Sequence, residues 1–169
     1  LSRCAQKCSK PTVGDYKRVM KIFKYINKTK EYEMRFKRDG NEKLTCFVDA
    51  SHIHYPEDGK GHFGYAFSLG EDDACFYARS QKMKIVTPAG STESEYVALY
   101  EASTEVVFLR NLLNEIGFTQ DEPTTIFEDN QSTIHMVHGN GKFHKQKHIH
   151  VKFHYSRELV KDKIIEVTH

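Results

Sequence analysis

Three acidic residues stand where a folded sheet can bring carboxylates together. Asp49 follows the apolar run Leu44-Thr45-Cys46-Phe47-Val48, Asp129 follows Thr124-Thr125-Ile126-Phe127 closely, and Glu95 lies in the first turn of a long helical pattern. Carboxylates gathered without a basic partner repel one another at neutral pH, and a divalent cation neutralises such a group. Mg²⁺ suits it, because one or two carboxylates hold the ion while water and phosphate oxygens complete its shell. Each acid also has a structural role open to it. An acid at the end of a buried strand commonly turns the chain toward solvent. Glu95 stands three residues after Thr92, the spacing of a capping box, and Asp129 can cap the short helix that follows it.

Histidine offers a second set of donors. His144, His148, His150 and His154 fall in one cationic stretch, and the pairs His144/His148 and His150/His154 have the four-residue spacing that places two zinc ligands on one helix face. A basic amphipathic helix with exposed imidazoles accounts for the same spacing, with Lys142, Lys145, Lys147 and Lys152 adding phosphate affinity.

The elements that must position these groups follow from periodicity. Apolar residues Tyr16, Val19, Met20 and Phe23 recur at helical steps from Asp15 to about Lys28, with lysine and arginine on the remaining face and Thr12 or Asp15 as cap. Glu31 to Phe36 reads as a short strand, and Asp39-Gly40-Asn41 as a turn marking a domain boundary. Strands are expected at Leu44 to Val48, Phe63 to Leu69 and Ala74 to Ala78, with Tyr55 to Gly61 a loop. The longest helical pattern runs from Thr92 to Ile116 and stops at Gly117. A strand at Thr124 to Phe127, a helix through Val137, a helix from about Lys147 to Lys161 and a strand at Ile164 to Val167 complete the order. Three strands, helix, strand, helices, strand is an α/β arrangement. An antiparallel meander continues into parallel strands through a helical crossover, and helices cover the mixed sheet.

Composition bounds the partners. The 169 residues are enough for one ordinary domain, or one domain plus a small appendage, with a core needing no staples. No apolar run is long enough for a membrane span, no signal-peptide centre is present, and an intracellular protein without a membrane partner is expected. Cys4, Cys8, Cys46 and Cys75 match neither a zinc spacing nor a disulfide framework. The net charge of +2 hides an asymmetry: residues 1–40 carry 12 basic and 4 acidic side chains, residues 41–169 carry 13 and 19. A basic segment beside an acidic domain suits phosphate contact on one part and cation binding on the other.

The contexts of the acids carry a resemblance. Ser91-Thr92-Glu93-Ser94-Glu95-Tyr96-Val97-Ala98-Leu99, Glu128-Asp129-Asn130-Gln131-Ser132, and Lys147-His148-Ile149 with His154 and Arg157-Glu158 occur in the order of the motifs of the ribonuclease H domain of copia-type retrotransposon reverse transcriptases. Tyr65 to Gly70, Phe108-Leu109-Arg110 and Gly117-Phe118 are similar to that family too. The resemblance implies a ribonuclease H-like fold over 41–169, preceded at 1–40 by the basic connector of the reverse transcriptase in a Pol polyprotein.

It further implies Mg²⁺-dependent endonucleolytic hydrolysis of the RNA strand of RNA–DNA hybrids, with Mn²⁺ as a substitute ion. Asp49, Glu95 and Asp129 are then the catalytic metal ligands, Asp49 bridging two ions, and Glu95 takes the role over Glu93 because Glu95-Tyr96-Val97-Ala98 meets the family pattern. Ser91, Thr92, Asn130 and Gln131, beside those acids, become candidates for contacts to the hybrid. The implied partners are the hybrid and the polymerase part of the same polyprotein, in a cytoplasmic virus-like particle or the nucleus. Two departures stand out. Ala50-Ser51-His52 replaces the family's continuation with a second Asp and a Trp, and the family's fourth Asp lies on a helix beyond the last strand, so that the domain is expected to be truncated before that helix. A non-catalytic hybrid-binding or structural domain from a decayed or truncated element is the alternative.

Overall fold

The computed structural model describes the backbone of residues 2–36, 43–70, 73–88, 90–139 and 147–169, and the side chains of these from residue 4 onward except 147–151. The chain divides into two compact units, Leu1–Arg35 and Phe36–His169. The first holds α1 (Ser2–Ala5) and α2 (Val13–Thr29). Both cap candidates act together at the start of α2. The Asp15 amide donates to Thr12 Oγ1 at 3.2 Å, and Asp15 Oδ2 accepts from the Thr12 amide at 3.0 Å. These reciprocal bonds satisfy two donors that a helix start leaves open. Arg18 pairs with the same carboxylate at 2.7 Å. Residues 31–36 form no strand, contrary to the sequence expectation, and the turn at 39–41 lies outside the described residues.

The second unit is built on a five-stranded sheet in the order β3-β2-β1-β4-β5. Its strands are β1 (Leu44–Tyr55), β2 (Lys60–Leu69), β3 (Cys75–Val86), β4 (Thr124–Phe127) and β5 (Ile165–Thr168). β1, β2 and β3 pair antiparallel, whereas β4 pairs parallel to both β1 and β5. The helices are α3 (Ser91–Glu115), α4 (Gln131–Val137) and α5 (Lys147–Lys161). The α/β class and the meander-to-parallel sheet therefore agree with expectation.

The three leading strands are longer than their apolar runs. β1 continues seven residues past Val48 because its polar continuation pairs with β2, Asp49 lying opposite Gly64 and Ser51 opposite His62. Asp49 thus sits within the strand, and the turn-residue reading of it is corrected. The same hairpin shortens the expected loop at 55–61 to a turn after Tyr55, closed by the Gly59 amide on Tyr55 O at 2.9 Å.

Alternation sorts the sheet into two faces. Cys46 and Val48 of β1 join Phe63, Tyr65 and Phe67 of β2 in the core, with Tyr96, Leu99, Val106 and Leu109 of α3. On the opposite face Phe47 stacks on its neighbour Phe127, ring centroids 4.9 Å apart. α3 ends as expected at Gly117, whose φ of +92° is followed by the Phe118 amide bonding Leu113 O at 2.8 Å. Across the hairpin, Gly61 is held by contact: a Cβ there would lie 2.7 Å from Ser51 O and 2.8 Å from Met83 Sδ. Gly61→Ala is expected to destabilise the domain by about 1–3 kcal/mol through overpacking, readable as a lower denaturation midpoint at unchanged m-value; an unchanged midpoint contradicts this packing.

Candidate metal centre

Three elements deliver the acids. β1 carries Asp49 and its parallel neighbour β4 leads directly into Asp129, because Phe47 pairs with Phe127 and both chains run on in the same direction. α3 brings Glu95 from above the sheet. Each of the three offers a carboxylate oxygen, and these atoms all lie within 4.8 Å of one another.

Neither capping explanation holds. α3 begins at Ser91 behind Gly90, which makes no side-chain cap, so Thr92 and Glu95 both lie inside the helix. The cap of α4 is Asn130, whose Oδ1 accepts the Thr133 amide at 3.0 Å, and Asp129 is left exposed beside it.

Electrostatics follow from this crowding. Burial, then repulsion from Glu128, Asp49 and Asp129, pushes the Glu95 carboxyl up to about 8, against the opposing pull of the Ala50 amide. Glu95 is 6% exposed and its Oε2 is buried without a hydrogen-bond partner. Among the described residues none of the three carboxylates is in an ion pair. All the donors are oxygens, two of the acids are open to solvent, and a buried oxygen stands unsatisfied. That set fits a hard divalent cation such as Mg²⁺.

The positions named as hybrid contacts lie close to Glu95 and Asp129 in sequence, at the starts of α3 and α4. Ser91 and Gln131 are exposed at the starts of α3 and α4, Thr92 is half-buried, and Asn130 is partly engaged by its capping bond. The two helix starts are joined where Thr133 Oγ1 donates to Thr92 O at 3.4 Å. The zinc idea gains nothing from the described residues. His144 lies outside them, as do the side chains of His148 and His150, and the described His154 belongs to no ligand group.

Two features escaped sequence reasoning. Glu128 is 1% exposed, and burial followed by repulsion from Asp129 and Asp49 raises its carboxyl to about 7 even though it accepts the Asn130 amide. Its signal was alternation, since it lies two residues beyond buried Ile126 on the same face. The second is His52. Its Nδ1 lies 3.3 Å from Thr87 Oγ1 and 3.2 Å from Ser94 Oγ, and those two hydroxyls are 2.7 Å apart. This partly buried network ties β1, three residues past Asp49, to α3 one residue before Glu95.

The comparisons with known proteins bear on the fold and the lineage of the chain. No protein-family model matches the chain. It is 25% identical over 170 residues to the retrovirus-related Pol polyprotein from transposon RE2 of Arabidopsis thaliana, covering 100% of the chain and 11% of the polyprotein. It is 33% identical over 105 residues to the secreted RxLR effector protein 161 of Plasmopara viticola, covering 62% of the chain and 72% of that protein. Among solved structures, LC11-RNase H1, isolated from compost by a metagenomic approach, superposes with a TM-score of 0.57 at 16% identity over 76% of this chain and 84% of that one. The foamy viral protease-reverse transcriptase in complex with RNA/DNA hybrid superposes with a TM-score of 0.55 at 14% identity, over 82% of this chain and 19% of that one.

Fold and strand order define a ribonuclease H-like domain. The chain belongs to the same family as the secreted RxLR effector protein 161, and its homology to transposon Pol polyproteins, with the ribonuclease H fold, supports a ribonuclease H domain of a retrotransposon Pol. It spans about a tenth of the RE2 polyprotein.

Proposed function

We propose that this domain hydrolyses the RNA strand of RNA–DNA hybrids, with Mg²⁺ or Mn²⁺ held by Asp49, Glu95 and Asp129. The observation that carries this reading is the convergence of three carboxylates from β1, α3 and the end of β4 within 4.8 Å. Bound there, the cation supplies Lewis acidity to the attacking water and to the leaving 3′ oxygen. The water oxygen bonds phosphorus as the bond to the 3′ oxygen breaks, leaving a 5′-phosphate and a 3′-hydroxyl. The protein's share is placement. Exposed Asp49 and Asp129 would hold the ion together with buried Glu95, which is fixed by α3 and by the His52, Thr87 and Ser94 network at its first turn.

Ser91, Thr92, Asn130 and Gln131 form the polar rim on which the hybrid backbone rests. Recognition there is by shape and 2′-hydroxyls, because chemistry at a backbone phosphate needs no base readout. Residues 1–40 serve as a basic connector to the polymerase part of a copia-type polyprotein, and phosphate contact by their lysines adds affinity that falls with salt. Such a protein works in a cytoplasmic virus-like particle or the nucleus. The motif order supports the copia type, and likeness to a reverse transcriptase solved with a hybrid supports the substrate.

The test is cleavage of a hybrid with either strand labelled, beside single-stranded RNA and duplex DNA, using the protein in its full open reading frame. Cutting confined to the RNA strand of the hybrid, present with Mg²⁺ and absent with EDTA, is expected. An intact hybrid, or cutting that survives EDTA, overturns the proposal.

A further inference from the structure

Glu128 has no part in the reading above, yet its surroundings are unusual for a carboxylate. It lies directly after β4 and is 1% exposed. Its Oε1 accepts the Asn130 amide at 2.9 Å, and its own amide is held by Thr168 O at 2.9 Å, so both its backbone and one oxygen are fixed. Its Oε2 is buried with no hydrogen-bond partner, as is Oε2 of Glu95. Of the acids around Glu95, Glu128 acts on it most strongly, ahead of Asp49 and Asp129.

Holding the Asn130 amide requires only a neutral acceptor, and a Gln side chain could do it. A buried anion facing other anions is unfavourable unless something positive is brought to it. Among the described residues the group that calls for a positive charge is the three-acid centre, and Glu128, fixed by its bonds to the Asn130 amide and Thr168 O, directly precedes one of its members.

We infer that Glu128 is a positioning residue of the metal centre: a buried fourth negative charge that strengthens divalent-cation binding by Asp49, Glu95 and Asp129 and fixes the backbone carrying Asp129. This rests on the metal reading of those three acids. Its Oε1 bond spans Asp129, from residue 128 to residue 130, and so sets where the Asp129 side chain leaves the strand end. Its charge adds to the field at the site without occupying the solvent-facing side that a phosphate must reach.

Two readouts separate this from a purely structural role. Glu128→Gln keeps the shape and the Oε1 acceptor and removes the charge. Its Mn²⁺ affinity, followed by the electron paramagnetic resonance of free Mn²⁺, is expected to fall about tenfold or more, the range seen when groups supporting metal ligands are removed. Mg²⁺ is correspondingly expected to raise its melting temperature less than that of the wild type.

Glu128→Gln binding Mn²⁺ as the wild type does overturns the inference while leaving the metal reading standing. A wild-type protein that binds no Mn²⁺ overturns the metal reading and the inference with it. If Glu128→Gln fails to fold, Glu128→Asp keeps the charge while moving it. Mn²⁺ affinity within about threefold of wild type is then expected on the charge argument, and a tenfold loss overturns it.

Discussion

Asp49→Asn is expected to reduce hybrid cleavage by about 10³-fold or more while leaving fold and hybrid binding intact, because several kcal/mol of transition-state charge stabilisation depend on the cation. The substitution is nearly isosteric and the side chain is exposed at the middle of β1, where backbone pairing with Gly64 does not involve it. No described ion pair is lost. Removing one negative charge from a surface that must meet phosphate leaves hybrid binding equal or tighter, an effect largest at low salt. Cleavage rate and hybrid affinity measured on the same preparations check this. Retained cleavage places the reaction elsewhere, and lost binding makes Asp49 a structural residue.

The second large effect is on stability as a function of pH in the absence of metal. Glu95 titrates near 8 in the folded protein, raised from its ordinary 4.5 by burial and then by Glu128, Asp49 and Asp129. Between those two values the folded state holds a proton that the unfolded chain has released. Stability contributed by this group is therefore fully present below about pH 4.5 and is lost as pH rises through 8. Glu128, raised to about 7, acts in the same direction within its own window. The melting temperature in EDTA is expected to fall from pH 6 to pH 9, by an amount on the order of 2 kcal/mol or roughly 5 °C once coupling between the acids is allowed for. Mg²⁺ should restore most of it at the alkaline end, above the range in which Glu95 and Glu128 release their protons. Thermal denaturation across that range with and without Mg²⁺ reads both halves. A profile that rises with pH in EDTA contradicts the buried position of Glu95, and one indifferent to Mg²⁺ contradicts the metal centre.

Why some of this was legible in the sequence and some not comes down to which signals a side chain leaves. β4 has the bounds expected from Thr-Thr-Ile-Phe, and α5 those expected from its basic helical pattern, because in both the periodic residues end where the element ends. β1 and β3 run past their apolar runs because strand length here is set by pairing. From Asp49 to His54 and from Arg79 to Lys84 the inward and outward positions are both mostly polar, and alternation leaves no trace.

The metal candidates were readable for a related reason. Asp49 and Asp129 each follow apolar runs that become parallel neighbours, and Glu95 sits one turn into the helix that crosses them. Thr92 and Asp129 misled as caps, since Gly90 and Asn130 stand at those positions. Glu128 was hidden by its own motif: within Glu-Asp-Asn-Gln the second acid drew the chemistry, while the first is the one buried. The network of His52 with Thr87 and Ser94 joins residues up to 42 positions apart, and only tertiary structure could assemble it.

The most direct measurement is the location of Mn²⁺ by anomalous scattering in crystals of the protein with a hybrid whose RNA strand resists hydrolysis. Manganese enclosed by the carboxylates of Asp49, Glu95 and Asp129 and touching a phosphate of the RNA strand is the predicted result. Manganese bound elsewhere, on the histidines of α5 for instance, with those three carboxylates free of metal, would contradict it.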